Sequence, residues 1–335
     1  MNNRTQFGFT LIEVMIALLL GIVIAGGVVG LFASGQRSFR QDQNIARMQD
    51  SARFAINELA RDIRMAGYTG EVVNPIMIQH QAGLAVATDC GVAGQANWIL
   101  NFTDDVTDEV NTLVSVDNAT GATANASFSC ITTAEVLGNT DVVGIKRFAG
   151  RSLPVASLQV NTIYMESNSA QGLMYQAPPG APLAGSISHW EYRPHIYYIR
   201  NFTNVAGDGI PSLCRKALEF GAAVGIQTEC IAEGIEDLQL EYGLDVDGDG
   251  SAERYLPDPT LTELQQVISA RIFLLARTTR EDHAYTDDRT YPISNRPIAA
   301  GANPGPQDQF HRRVYTVTVP IFNMRNRMLF GTIGV

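Results

Sequence analysis

Residues 7–33 read FGFTLIEVMIALLLGIVIAGGVVGLFA. From Val14 to Ala33 no residue is charged. At about 1.5 Å per residue, twenty helical residues cover roughly 30 Å, the hydrocarbon thickness of a bilayer. One acid, Glu13, sits at the start of the run. A charge at the centre of a span costs roughly 2.5–3.5 kcal/mol on insertion scales and less near an end, so Glu13 predicts a partner. A secretory signal peptide would have a basic leader, an apolar stretch of about 7–15 residues and a small-x-small cleavage site. Here the stretch is longer, Arg4 is the only leader cation, and SGQRSFRQDQNIARMQD continues as a helix. A plain single-pass anchor accounts for the length but for neither Glu13 nor the Gly8–Phe9 junction.

Gly8 followed by FTLIEVMIALLLG resembles the class III signal of type IV pilins and type II secretion pseudopilins. The resemblance implies that prepilin peptidase cuts after Gly8 on the cytoplasmic side. Phe9 then becomes the N-methylated terminus, the apolar segment stays in the mature protein, and Glu13 is the family's acid. The physics of the residues agrees. The amine of a neighbouring Phe9 can pair with Glu13 as subunits stack, so two costly charges satisfy one another in an apolar filament core. The flanking cations point the other way: Arg37, Arg40 and Arg47 follow the span, which by the positive-inside rule would keep the C-terminal side cytoplasmic. A large domain translocates largely regardless of charge, and the cysteines favour an oxidising compartment. The span also holds Gly21, Gly26, Gly27 and Gly30, of which Gly26 and Gly30 form a G-x-x-x-G that lets helices approach closely. The helix-breaking proline usual in major pilins is absent; glycines can loosen the helix instead, at about 1 kcal/mol each relative to alanine.

Beyond the span, Ile45, Met48, Ala52, Ile56, Leu59, Ile63 and Ala66 recur at spacings of three and four, one face of a helix. Gly67 supplies a C-cap and GYTG an end. One helix is therefore predicted from about Phe9 to Ala66, half in the membrane and half a stem packed on a globular head.

The rest of the chain, about 270 of 335 residues, is enough for one large or two small domains. With 45% hydrophobic residues it is a folding sequence. Residues 36–66 carry six Arg and four acids, whereas residues 67–335 carry 17 Lys+Arg and 29 Asp+Glu. Such an acidic head lacks the basic footprint of a nucleic-acid binder, and no nucleic-acid partner is expected. Cys90, Cys130, Cys214 and Cys230 form no C-x-x-C and lie at no metal-ligand spacing from histidine. An even count suits two disulfides in a periplasm. Of the three connectivities, neighbour pairing is preferred, Cys90 with Cys130 and Cys214 with Cys230; four free thiols are the other reading.

Residues 71–184 are rich in Ala, Gly, Thr, Asn and Ser, and predict a loop-rich insertion with short strands such as DVVGIKRF and NTIYME. Residues 185–335 predict the sheet core. HWEYRPHIYYIRNF, SLCRKALEF, IEDLQLEYGL, ISARIFLLART and RRVYTVTVPIFNMRN have the β-branched and aromatic content of antiparallel strands, with Pro320 marking an edge or bulge. The fold class is α+β: a leader (1–8), a long transmembrane and stem helix (9–66), and a periplasmic head (67–335) with an antiparallel sheet. GIEDLQLEYGLDVDGDGSAERY, RIFLLART and RRVYTVTVPIFNMRN, with DIRMAGYTG at the stem end, resemble the PilW family of minor pilins. That resemblance implies insertion in the inner membrane, partnership with other minor pilins and the major pilin, and a complex that primes or caps the type IV pilus at its tip. A J-like pseudopilin of type II secretion is the alternative, and a membrane-anchored hydrolase the reading from another class.

DVDGDGSAE places Asp245, Asp247 and Asp249 in the D-x-D-x-D-G pattern of a calcium loop, with Ser251 and Glu253 as further oxygen donors. The twelfth position is Leu256, so a true EF-hand is not expected; Asp258 could complete a shell, and the plain alternative is an acidic hairpin turn. No other cofactor is called for. His189 and His195 fall at even spacing on one expected strand without a third ligand. The acids Asp104, Asp105, Asp108 and Glu109 look like a solvated loop, and neither G-x-S-x-G nor a phosphate-binding glycine loop occurs. No enzyme activity is expected.

Overall fold

The apolar run and the stem form one helix, α1 (Leu11–Arg64). It crosses between two compact units, one ending at Arg47 and the other starting at Met48. The computed structural model describes residues 8–91, 97–103, 110–179, 183, 185, 188–221, 224–295, 298–299 and 308–324. In the first unit the span is exposed along its whole apolar surface: Ile12, Leu18, Ile22, Val29 and Leu31 are all open. A helix that is apolar all round has a membrane or other apolar surroundings as its solvent.

In the second unit the stem buries Met48, Ala52, Ala55, Leu59 and Ile63. Leu59 and Ile63 are wholly covered, each contributing about 1.5–3 kcal/mol. Ala55 holds the centre of the stripe, and Ile56, expected there, is only half-buried. Gly67 leaves the helix with φ +73°, a conformation that costs glycine nothing because it has no Cβ.

The chain then forms β1 (Ile78–His80), β2 (Leu113–Ala119), a short helix α2 (Gly121–Ser127), β3 (Thr140–Ile145), β4 (Ile163–Ser167), β5 (Gly172–Gln176) and β6 (Ser188–Glu191). There follow β7 (His195–Arg200), β8 (Ser212–Glu219), β9 (Gly225–Glu233), β10 (Ile235–Leu244), β11 (Arg254–Leu256), the turn of helix α3 (Leu261–Leu264), β12 (Val267–Arg277), β13 (Thr290–Tyr291), β14 (Ile298–Ala299) and β15 (Arg312–Pro320). The described strands make a five-stranded sheet, β2-β3-β7-β8-β9, and two four-stranded sheets, β11-β10-β12-β15 and β1-β5-β4-β6, with β13 and β14 as a separate ladder. Pairing is antiparallel except between β1 and β5. β15 lies at a sheet edge and ends at Pro320, where a missing N–H does least harm.

Two sequence expectations are corrected here. Residues 71–184 are not an insertion between stem and sheet: β2 and β3 are integral to the five-stranded sheet, and β4 and β5 to another. DVVGIKRF and NTIYME do form strands, β3 and β4, but these are buried at every position and lack the alternation that would mark them as members of a core sheet. His189 and His195 do not share a strand. They lie in β6 and β7, which belong to different sheets.

The main core gathers Trp98, Phe102, Phe128, Phe148 and Tyr192. Phe102 stacks on Phe148 at 5.8 Å, and Trp98 meets Phe128 edge-on at 5.1 Å. Gly144 in β3 lies under Phe128 and Trp98, where an added Cβ would come within 2.7 Å of the Phe128 ring. The five-stranded sheet is tied to β10 by Asp141, whose carboxylate accepts the N–H of Asn118 (2.9 Å) and of Leu240 (2.7 Å).

Candidate functional site

Helix α1 begins with a side-chain cap. Thr10 donates its N–H and its hydroxyl to Glu13 Oε2, both at 2.9 Å, and Glu13 N–H faces Thr10 Oγ1 at 3.4 Å. The acid at the head of the span therefore satisfies two donors at the helix start, where four backbone N–H groups lack intrahelical acceptors. Both bonds go to one oxygen; among the described residues no donor meets Oε1. Gly8 and Phe9 precede the helix and are exposed.

Phe9, Glu13, Ala17, Gly21 and Ala25 follow at intervals of four, and line a groove of about 610 Å³ together with the row Val14, Leu18, Ile22. A small-residue row beside a bulky one is the relief that lets a second helix seat its ridge and approach closely. Nothing lies within 4 Å of a Cβ built on Gly21. This row, rather than Gly26 and Gly30 alone, runs directly on from Glu13. Spacing by four from the acid was the signal available in the sequence, and attention to glycines alone missed it.

A second carboxylate of α1, Asp62, is buried where the stem meets the sheet. Arg147, just after β3, donates to Asp62 Oδ1 from Nε (2.9 Å) and Nη2 (2.5 Å). On β7, the Tyr197 hydroxyl donates to Oδ2 at 2.5 Å, and His195 Nδ1 contacts the same oxygen. Burial pushes the Asp62 pKa up. The hydrogen bond and charge of His195, the Arg147 guanidinium and the Tyr197 hydroxyl outweigh it and hold the carboxyl well below the usual range. Beside this pin, a cleft of about 260 Å³ holds more cations, each facing an acid: Arg193 forks onto Glu191 at 2.9 Å, and Arg215 binds Glu229 at 2.9 Å. His189 is elsewhere, with Nδ1 at 2.8 Å from the Tyr175 hydroxyl.

Carboxylate oxygens of Asp245, Asp247, Asp249 and Glu253 lie within 4.8 Å of one another. Asp245, nearly inaccessible, accepts Gly248 N–H (2.7 Å) and Gly250 N–H (2.9 Å), and Gly250 has φ +94°. Asp249 accepts Ser251 N–H at 2.6 Å, and Glu253 accepts Val246 N–H at 2.7 Å. An oxygen-only cluster of this kind suits a hard cation such as calcium, which takes six to eight oxygens. Ser251 lies in the same loop, but Asp258 is outside the cluster. Leu256 pairs with Tyr242 in the ladder. The acids at 104–109 lie outside the described residues. The cysteines are joined as two bonds, Cys90 to Cys130 and Cys214 to Cys230.

Comparison with known proteins bears on both ends of the chain. The prokaryotic N-terminal methylation motif matches residues 3–29, and the family of type IV pilus-assembly protein W matches residues 196–323. No curated protein matches the chain. Among solved structures, the type IV-like pilin TTHA1219 from Thermus thermophilus aligns over 83% of this chain and 97% of its own, at 13% identity and a TM-score of 0.36. So loose a superposition adds nothing to the assignment. A methylation motif heads the apolar helix and a PilW domain runs from β7 to β15, and together they indicate a PilW-type minor pilin of the type IV pilus.

Proposed function

We propose that this minor pilin joins other minor pilins in the membrane, primes filament assembly, and remains at the pilus tip. The observation that carries the proposal is the start of α1. Glu13 is half-satisfied by its own Thr10 and keeps one oxygen for a donor from outside, at the head of a groove shaped for a second helix. Cleavage after Gly8 frees the Phe9 amine, and a neighbour's amine at that oxygen neutralises both charges in an apolar surrounding. A bulky head beginning at Met48 suits a filament end, which leaves one side unobstructed, better than a repeating lattice. The head faces the periplasm before assembly, in keeping with its two disulfides.

Two measurements test this reading. Protein purified from membranes is expected to begin at Phe9 and to be one methyl group heavier than the unmodified chain. A terminus at Met1, or a cut beyond Ala33, overturns it. A deletion strain is expected to lose surface pili and twitching. Loss of exoprotein release with pili intact would instead assign the chain to a type II secretion pseudopilus.

We also propose that the loop of Asp245, Asp247, Asp249, Ser251 and Glu253 takes a calcium ion, supported by the four converging carboxylates. Isothermal titration of the full chain in detergent should give calcium-dependent heat that Asp247→Ala abolishes; no heat from the unaltered protein ends the idea.

A further inference from the structure

The two disulfides have different surroundings. Cys90–Cys130 ties the segment after β1 to the turn after α2, with Cys90 inaccessible and Cys130 half-buried against the aromatic core. Cys214 and Cys230 are directly opposed residues of β8 and β9, and β9 is the outermost strand of the five-stranded sheet. Cys214 is inaccessible within the core, whereas Cys230 is exposed. Opposed residues of an antiparallel pair share a sheet face, so the bond bridges β8 and β9 with Cys230 on the side of the edge strand. Displacement needs a sulfur that an incoming thiol can reach, and Cys230, exposed on the edge strand, is the reachable member of the pair.

A cation stands beside the same sulfur. Arg200, the last residue of β7, places Nη1 3.6 Å from Cys230 Sγ. Its guanidinium is held against the Phe202 ring at 3.6 Å, and its Nε lies 3.9 Å from Glu135. Glu135 is itself engaged by Lys216 at 2.9 Å. A neighbouring guanidinium stabilises a thiolate far more than a neutral disulfide sulfur, and so favours the opened state.

We propose that Cys214–Cys230 is a thiol-exchange site. Cys230 is the sulfur that takes an external low-molecular-weight thiol, while Cys90–Cys130 is a fixed staple. The thiol's sulfur bonds Cys230 Sγ, the Sγ–Sγ bond breaks, and the proton of the incoming thiol ends on Cys214. A second equivalent bonds the sulfur of the first and displaces Cys230, carrying the first away as the symmetric disulfide; its proton passes to solvent, leaving Cys214 as a thiol and Cys230 as a thiolate beside Arg200. Two thiols are oxidised and one disulfide is reduced. The site accepts a covalent adduct on an exposed sheet edge without unpacking the aromatic core.

The test uses the full chain in detergent, equilibrated with graded ratios of reduced to oxidised glutathione, acid-quenched, alkylated and mapped by peptide mass. The expected result is a glutathione adduct on Cys230, and opening of Cys214–Cys230 at ratios that leave Cys90–Cys130 closed. Arg200→Gln should shift that opening about tenfold toward the disulfide, one pKa unit of lost thiolate stabilisation, and Arg200→Lys should restore it. Simultaneous opening of both bonds, earlier opening of Cys90–Cys130, or the adduct on Cys214 overturns the proposal. Because the decisive comparison is made on the unaltered protein, a variant that fails to fold does not blunt it.

Discussion

Asp62 is withdrawn from water in the company of Arg147, His195 and Tyr197, so its removal strands a buried guanidinium. Breaking a buried pair from one side costs about 3–5 kcal/mol. Asp62→Ala should lower the stability of the full chain in detergent by that amount in denaturant unfolding. The pH dependence follows from the direction of its pKa. The folded value is depressed, so the stabilisation is present above the unfolded value of about 4 and lost as pH falls below it toward the folded value. Stability should therefore decline below about pH 4, and Asp62→Ala should lack that component. Glu13 poses the reverse case, a carboxylate kept partly open. Glu13→Gln retains an oxygen to cap Thr10 but brings no charge to meet an amine. It should leave the amount of protein in membranes unchanged and reduce its share in sheared pili, read by immunoblotting both fractions. Of these two acids only Glu13 was legible in the sequence, because it interrupts an uncharged run. Asp62 sits beside Ile63 on a helix dotted with charges, and its partners come from β7 and the segment just after β3, far away in the chain.

The row Ala17, Gly21, Ala25 gives α1 a slender side running on from Glu13. Gly21→Leu would fill that side without touching the helix's own packing. Overfilling a close contact costs roughly 1–3 kcal/mol, about thirtyfold in association at the midpoint of that range. Membrane insertion should be intact and pilus incorporation should fall by that factor. The helix itself was legible almost to its ends, predicted over 9–66 and found at Leu11–Arg64, since 3.6-residue periodicity and a capping glycine are local signals. Strands of the second half were legible from local signals too: β10 and β12 are long runs rich in Leu, Ile and aromatic residues, and fall on IEDLQLEYGL and ISARIFLLART. β3 and β4 were only glimpsed, because burial of both faces erases the period and leaves nothing but composition. The acidic loop was legible as a pattern of alternating aspartates. Its inward carboxylate, Asp245, was not distinguishable from its exposed neighbours.

At the scale of the whole molecule, charge and covalent ties are unevenly distributed. The acid excess lies entirely beyond the stem, whose own charge is slightly basic. The ties constrain the unfolded chain unequally. The Cys90–Cys130 bond spans 40 residues and Cys214–Cys230 spans 16, for which loop-entropy estimates give about 4 and about 3 kcal/mol. Replacing the first pair by alanines should destabilise the full chain more than replacing the second, measured by thermal unfolding in detergent. What sequence reading could not supply was how the halves of the head depend on each other. The five-stranded sheet draws β2 and β3 from before residue 150 and β7, β8 and β9 from after residue 190. Such a sheet completes itself only when distant segments meet.

The cross-links do not share that dependence. Each joins a cysteine to the next one along the chain. On the proposed passage to the periplasm, stem first, the first bond can close as soon as residue 130 emerges, before Cys214 has appeared. The second can close when residue 230 emerges, with no other thiol left to compete. An oxidant acting strictly in order of arrival thus reaches the native pairing without reshuffling, and an isomerase has nothing to correct.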